Sequence, residues 1–139
     1  MKRLGVFLLV LAAAAPAPDN ALGLGELPPQ VLAKNSCALF LWDRASRQRI
    51  VMAVAVPAQA MVQHGGKRLA LAQTGGDGEA VLGFRPRARY AGGDVALALD
   101  LEITASEGGG AVIRTGTVTR TMADGGAVVA PVAGLIGCG

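Results

Sequence analysis

The chain has 139 residues, 20 of them glycine, with 13 basic and 10 acidic side chains and a formal net charge of +3. That length supports one domain with a modest core and no more. A single histidine and two cysteines leave too few ligands for a structural metal centre.

Lys2 and Arg3 precede the apolar run Gly5 to Leu11, and small residues follow from Ala12 to Ala15. This is the three-part pattern of a cleavable secretory leader, assigned to residues 1–17. The run is shorter than the ~20 residues that a spanning helix needs. Cleavage after Ala14 fits best, because a cut after Ala15 or Ala17 would put Pro16 or Pro18 directly past the scissile bond. The expected location is periplasmic or secreted, with no transmembrane segment left after cleavage. Without Lys2 and Arg3 the balance falls to 11 basic against 10 acidic residues. The apparent basicity is thus mostly the leader's, and no nucleic-acid partner is expected.

Residues 18–30 are rich in proline, glycine and alanine. They read as a flexible lead-in with only Leu22, Leu24 and Leu27 to dock. Residues 31–139 form the single domain. Its runs are short, apolar and separated by glycine. Ser36 to Trp42 comes first, then Ile50 to Val56, which stops at Pro57. Ala58 to His64 is the one helical candidate, with a brief apolar run at Met61 to Gln63. Gly65-Gly66 reads as a turn. Leu69, Leu71 and Gln73 alternate with alanines up to a second expected turn, Gly75 to Gly78. Glu79 to Arg85 is the next run, broken by Pro86, and Gly92 to Asp94 is a third turn.

Val95 to Thr104 is the clearest strand. Val95, Leu97, Leu99, Leu101 and Ile103 share one face, and Ala96, Ala98, Asp100, Glu102 and Thr104 the other. This period of two marks a half-buried antiparallel strand. Val112 to Thr121 follows the Gly108 to Gly110 turn, with Thr115, Thr117 and Thr119 on one face. Asp124 to Gly126 reads as a hairpin turn. Ala127 to Val132 closes the domain, and Pro131 points to an edge or a bulge. The expected fold is all-β, a small antiparallel β-sandwich or β-barrel of about 7 to 9 short strands. Cys37 and Cys138, an even pair in an oxidising compartment, are expected to form one disulfide across almost the whole domain.

No catalytic set stands out, so the chain reads as a non-enzyme without cofactor or metal. His64 is alone beside a turn. Ser36, Ser46 and Ser106 lie in no nucleophile-elbow motif. Gly108 to Gly110 lacks the lysine of a phosphate loop. Asp100 and Glu102 share a strand face and leave a glycan hydrolase as a distant alternative. The carboxylates of Gly75 to Glu79 are too few for calcium.

Binding residues are easier to nominate. Arg85, Arg87 and Arg89 alternate in Phe84 to Tyr90 and would project from one side of an extended chain. Arg44, Arg47 and Arg49 cluster after Trp42, the only tryptophan, and Lys67-Arg68 form a third cluster. Lys34 to Arg89 carries 9 basic against 3 acidic residues, and Asp94 to Asp124 carries 2 against 5. Guanidinium groups suit phosphate or carboxylate. The expectation is an exported binding domain for an anionic envelope component or a protein partner, using Arg85, Arg87, Arg89, Tyr90, Trp42 and Arg44.

Arg87-Ala88-Arg89-Tyr90 resembles the end of the Ser-Gly-x-x-Tyr segment of exported inhibitors of C-type lysozyme, and the placement of the cysteines is similar. Arg85 and Pro86 stand where that family has its serine and glycine region. The resemblance implies a small β-barrel and, as an alternative function, inhibition of a muramidase through Arg89, Tyr90 and nearby loops.

Overall fold

The structure, a computed structural model, describes residues 20–139. The expected leader, residues 1–17, lies outside the described residues. The described chain forms eight antiparallel strands: β1 (Cys37–Asp43), β2 (Arg49–Ala55), β3 (Ala58–His64), β4 (Lys67–Asp77), β5 (Arg87–Gly92), β6 (Val95–Ala105), β7 (Ala111–Thr121) and β8 (Ala127–Cys138). Each pairs with its sequence neighbours, and β8 returns to β1, so the sheet closes into an up-and-down barrel. Closure decides for the barrel over the sandwich and leaves no sheet edge unpaired.

The seam of the barrel is where the cysteines lie. Cys37 pairs with Cys138 in the β1–β8 ladder, and the two sulfurs are bonded. From there the register runs without a break to Asp43 opposite Val132.

Strand β6 keeps the alternation read from the sequence. Val95, Leu97, Leu99 and Leu101 are buried, and Ala96, Ala98, Asp100 and Glu102 are exposed. Ile103 follows a bulge after Glu102 and is only half-buried. Leu39, Leu41, Val62, Leu71, Ile113 and Val118 fill the interior from the other strands. An eight-stranded barrel is just wide enough for side chains to fill it. Each large buried aliphatic stabilises the fold by roughly 1.5–3 kcal/mol.

Ala58 to His64, the helical candidate, is strand β3. It pairs with β2 through Ala53↔Ala60 and with β4 through Val62↔Leu69. Two flanking ladders override a weak local preference. The turn after it is as expected: Gly65 and Gly66 both have positive φ, 60° and 75°, as a two-residue turn that follows strand twist requires.

Two boundaries shift. Gly75, Gly76 and Asp77 form the end of β4, opposite Arg89, Ala88 and Arg87, rather than a turn. Glu79 to Arg85 is correspondingly a loop rather than a strand. Within it Val81 and Phe84 exchange backbone hydrogen bonds of 2.8 and 2.9 Å around a tight turn at Leu82 and Gly83, which buries Phe84 in the core. The strand starts after Pro86, at Arg87. Strand β8 runs on past Val132 to Cys138. Pro131 lies within it, just beyond the end of the β1 ladder. Its carbonyl accepts the Arg44 N–H at 3.1 Å, so its own missing N–H also faces the side where β1 has ended.

The lead-in is part of the domain from Asn20 onward. Leu22, Leu24 and Leu27 are buried, with Leu22 and Leu24 only 2% and 0% exposed. Asn20 organises the segment. Its Oδ1 accepts the N–H groups of Leu22 and Leu24 at 3.1 and 3.2 Å, and its Nδ2 donates to Leu24 O and Gln48 Oε1. Gly25 bonds Gln63 O and Leu27 bonds Arg49 O, both at 2.8 Å. The segment therefore covers the barrel end at which β1, β3, β5 and β7 finish. Phe84 and its loop close over the other end.

Candidate functional site

Ala88 and Tyr90 point into the barrel, and Arg87 and Arg89 point out, as the strand period dictates. The arginines expected to act together are in three different situations. Arg85 lies in the loop before β5, where its Nη1 donates to Gly78 O at 2.8 Å. Arg87 is ion-paired with Asp77 on β4 and faces Asp100 on β6. That pair is more than half exposed, so it is worth little to stability. Arg89 crosses over Gly75, where any side chain would collide with its guanidinium. Among the described residues Arg89 has no carboxylate partner.

A shallow groove of about 300 Å³ runs beside Arg89, bordered by Arg87, Asp77, Asp100, Thr117 and Thr119. It continues past Asp100 and Thr117 to Glu102 and Thr115. Asp100 and Glu102 thus stand in one exposed row on the outer wall. No apolar pocket surrounds either, unlike the unequal environments that separate an acid from a base.

Tyr90 is only 4% exposed and belongs to the core. It is not a surface contact, and the residue that carries the resemblance to the lysozyme inhibitors faces inward. Burial pushes its phenol above the ordinary value of 10.0. The unfolded chain therefore ionises first as pH rises. The stability linked to this proton is complete below pH 10.0 and is lost as pH climbs through the folded value. Tyr90→Phe should flatten that alkaline loss. Urea unfolding of both proteins at about pH 9 and about pH 11 measures it. An identical loss in the variant would assign the effect elsewhere.

A second cluster lies on the outer face of β1, β2 and β8. Phe40 stands opposite Leu135, and Trp42 opposite Arg49. The two rings are 6.3 Å apart, and the Arg49 guanidinium lies 5.5 Å from each centroid. Such cation–π contacts hold a guanidinium in place. The segment Pro29 to Leu32 forms the side wall of a cavity of about 270 Å³ here. Trp42 is half-buried, so it is both an anchor and a lining residue. Arg44 is exposed at the start of the next loop and donates through Nε to Val132 O at 3.3 Å. The loop itself is held by buried Asp43, which accepts from Ser46 N at 2.8 Å and Ser46 Oγ at 2.6 Å.

Arg120 was not singled out by sequence, although a signal existed. If Thr115, Thr117 and Thr119 face outward, Arg120 must face inward. It does so, 6% exposed, donating from Nη1 to Leu22 O at 2.7 Å and approaching His64 Nε2 at 3.2 Å through Nη2. Arginine carries only donors, so His64 accepts there. The pair tethers the Asn20–Leu24 segment. Among the described residues no group of three or more potential metal ligands comes together. Among the described residues no helix is long and apolar enough to cross a membrane.

Searches of family models, curated proteins and solved structures find no match for this chain.

Proposed function

We propose that the chain is an exported, non-enzymatic binding domain that recognises an anionic envelope component or protein partner on the outer wall of its barrel. The filled interior supports this reading most directly. Leu39, Leu41, Val62, Leu71, Ile113 and Val118 pack the space in which some barrels of this topology hold a ligand. Recognition is then left to the wall. There Arg89 offers an outward guanidinium with no carboxylate partner among the described residues, beside the hydroxyls of Thr117 and Thr119. A disulfide at the seam suits an oxidising compartment.

Retention of the protein on isolated anionic envelope material should fall with added salt. Arg89→Ala should reduce both the retention and its salt dependence, and Arg85→Ala should do less, because Arg85 already serves Gly78 O. Salt-insensitive retention, unchanged when Arg85, Arg87 and Arg89 are all alanine, rules out this surface.

A further inference from the structure

We infer that the Trp42–Arg49 groove is a binding site for a sugar residue that carries a carboxylate, as part of an acidic glycan. The inference rests on the reading that the chain binds an envelope component, but it uses a different face of the barrel from Arg89.

Arg49 carries the argument. Its guanidinium is fixed over Phe40 and Trp42 at 5.5 Å from both rings. Among the described residues it has no carboxylate partner. Nη1 makes only a long contact of 3.5 Å to Pro28 O, and among the described residues Nη2 has no hydrogen-bond partner. A positioned cation with unspent donors is complementary to a carboxylate, which guanidinium groups bind in a forked geometry. Positioning by the rings lowers the ordering cost of that contact.

The rest of the groove sets the body of the ligand. Pro29, Leu32 and Leu135 supply apolar walls, and Phe40 and Trp42 line the same groove. These suit the C–H face of a pyranose ring. Gln30 stands at the rim, where its amide N–H group donates to Pro28 O at 2.9 Å and leaves Oε1 free to accept from a sugar hydroxyl. About 270 Å³ is a small cavity, fit for one ring rather than a long lipid chain. The wall is well anchored, because Leu27 is buried and its N–H is bonded to Arg49 O at 2.8 Å.

Trp42 is the only tryptophan, so its fluorescence reports this groove alone. The test titrates the full chain with a galacturonic acid trisaccharide and, separately, with its methyl ester. A saturable change is expected with the acid and none with the ester. Arg49→Met should weaken binding by about tenfold or more, and Arg49→Lys by less, because a point charge remains without the fork. Leu135 is 40% exposed, so Leu135→Glu should fold and abolish binding by charge repulsion. Equal responses to acid and ester, or unchanged affinity in both Arg49→Met and Leu135→Glu, overturn the inference. If the chain is retained on anionic envelope material through Arg89 while the trisaccharide gives no response, the inference fails and the broader reading stands. If neither binds, both fail.

Discussion

Replacing Cys37 and Cys138 together by alanine should lower the free energy of unfolding by about 4–5 kcal/mol. The bond joins residues 101 apart in sequence, nearly the full length of the barrel. In the chain-entropy account its effect falls on the unfolded state, which loses the freedom of a loop that long. The position adds a second reason. A barrel is stable as a closed object, and β1–β8 is its only pairing between strands distant in sequence. The other seven pairings are local hairpins, so closing the seam is the step with the highest entropic cost. The ladder from Cys37↔Cys138 to Asp43↔Val132 remains in the variant and keeps the folded structure closed. Urea unfolding of the two proteins measures the difference. A change below about 1 kcal/mol would mean that the unfolded chain keeps its ends together without the bond.

The covering segment should matter nearly as much. Leu22→Ala and Leu24→Ala should each cost about 2–5 kcal/mol, the range for leucine truncations in packed cores. Both side chains are buried and belong to the central cluster. Their neighbours relax together, so the double variant should cost less than the sum. Leu32→Ala serves as the control, since Leu32 is more exposed and lies outside that cluster. Thermal unfolding followed by circular dichroism separates the outcomes. If Leu22→Ala and Leu24→Ala melt with the parent, the segment lies on the barrel without supporting it. Arg120 makes the first outcome the expected one. Its buried guanidinium donates to Leu22 O, and loss of the segment would leave that charge without this partner.

The candidate sites were legible to different degrees. Arg87 and Arg89 share one side of an extended strand, which the sequence shows because parity along a strand is a local property. For Tyr90 the sequence leaves a core anchor and a surface contact both open, and one comparison decides between them. If Arg87 and Arg89 face solvent, the next residue must face the core. Arg85 fell out of line because Pro86 and the Leu82–Gly83 turn start β5 later than the run of residues suggested. The Phe40–Trp42–Arg49 cluster was hardest to see. Its rings share a face of β1, but Arg49 joins them only through the β1–β2 register, which a bulge after Leu41 shifts.

Some features of this protein were therefore decided by sequence alone. They are its all-β character, the alternation of β6, the turn at Gly65-Gly66 and the pairing of its only two cysteines. Each depends on neighbours within a few residues or on there being a single possible partner. Other features belong to the tertiary structure: closure into a barrel, the strand state of Ala58 to His64, the burial of Leu22 and Leu24, and the meeting of Arg49 with two rings. Each depends on contacts between distant segments, whose energy appears only when the sheet returns to its own first strand. The small size of the barrel then has its own consequence. Leu39, Leu41, Val62, Leu71, Ile113 and Val118 pack its interior, and Arg87, Arg89, Trp42 and Arg49 are left on the outer wall.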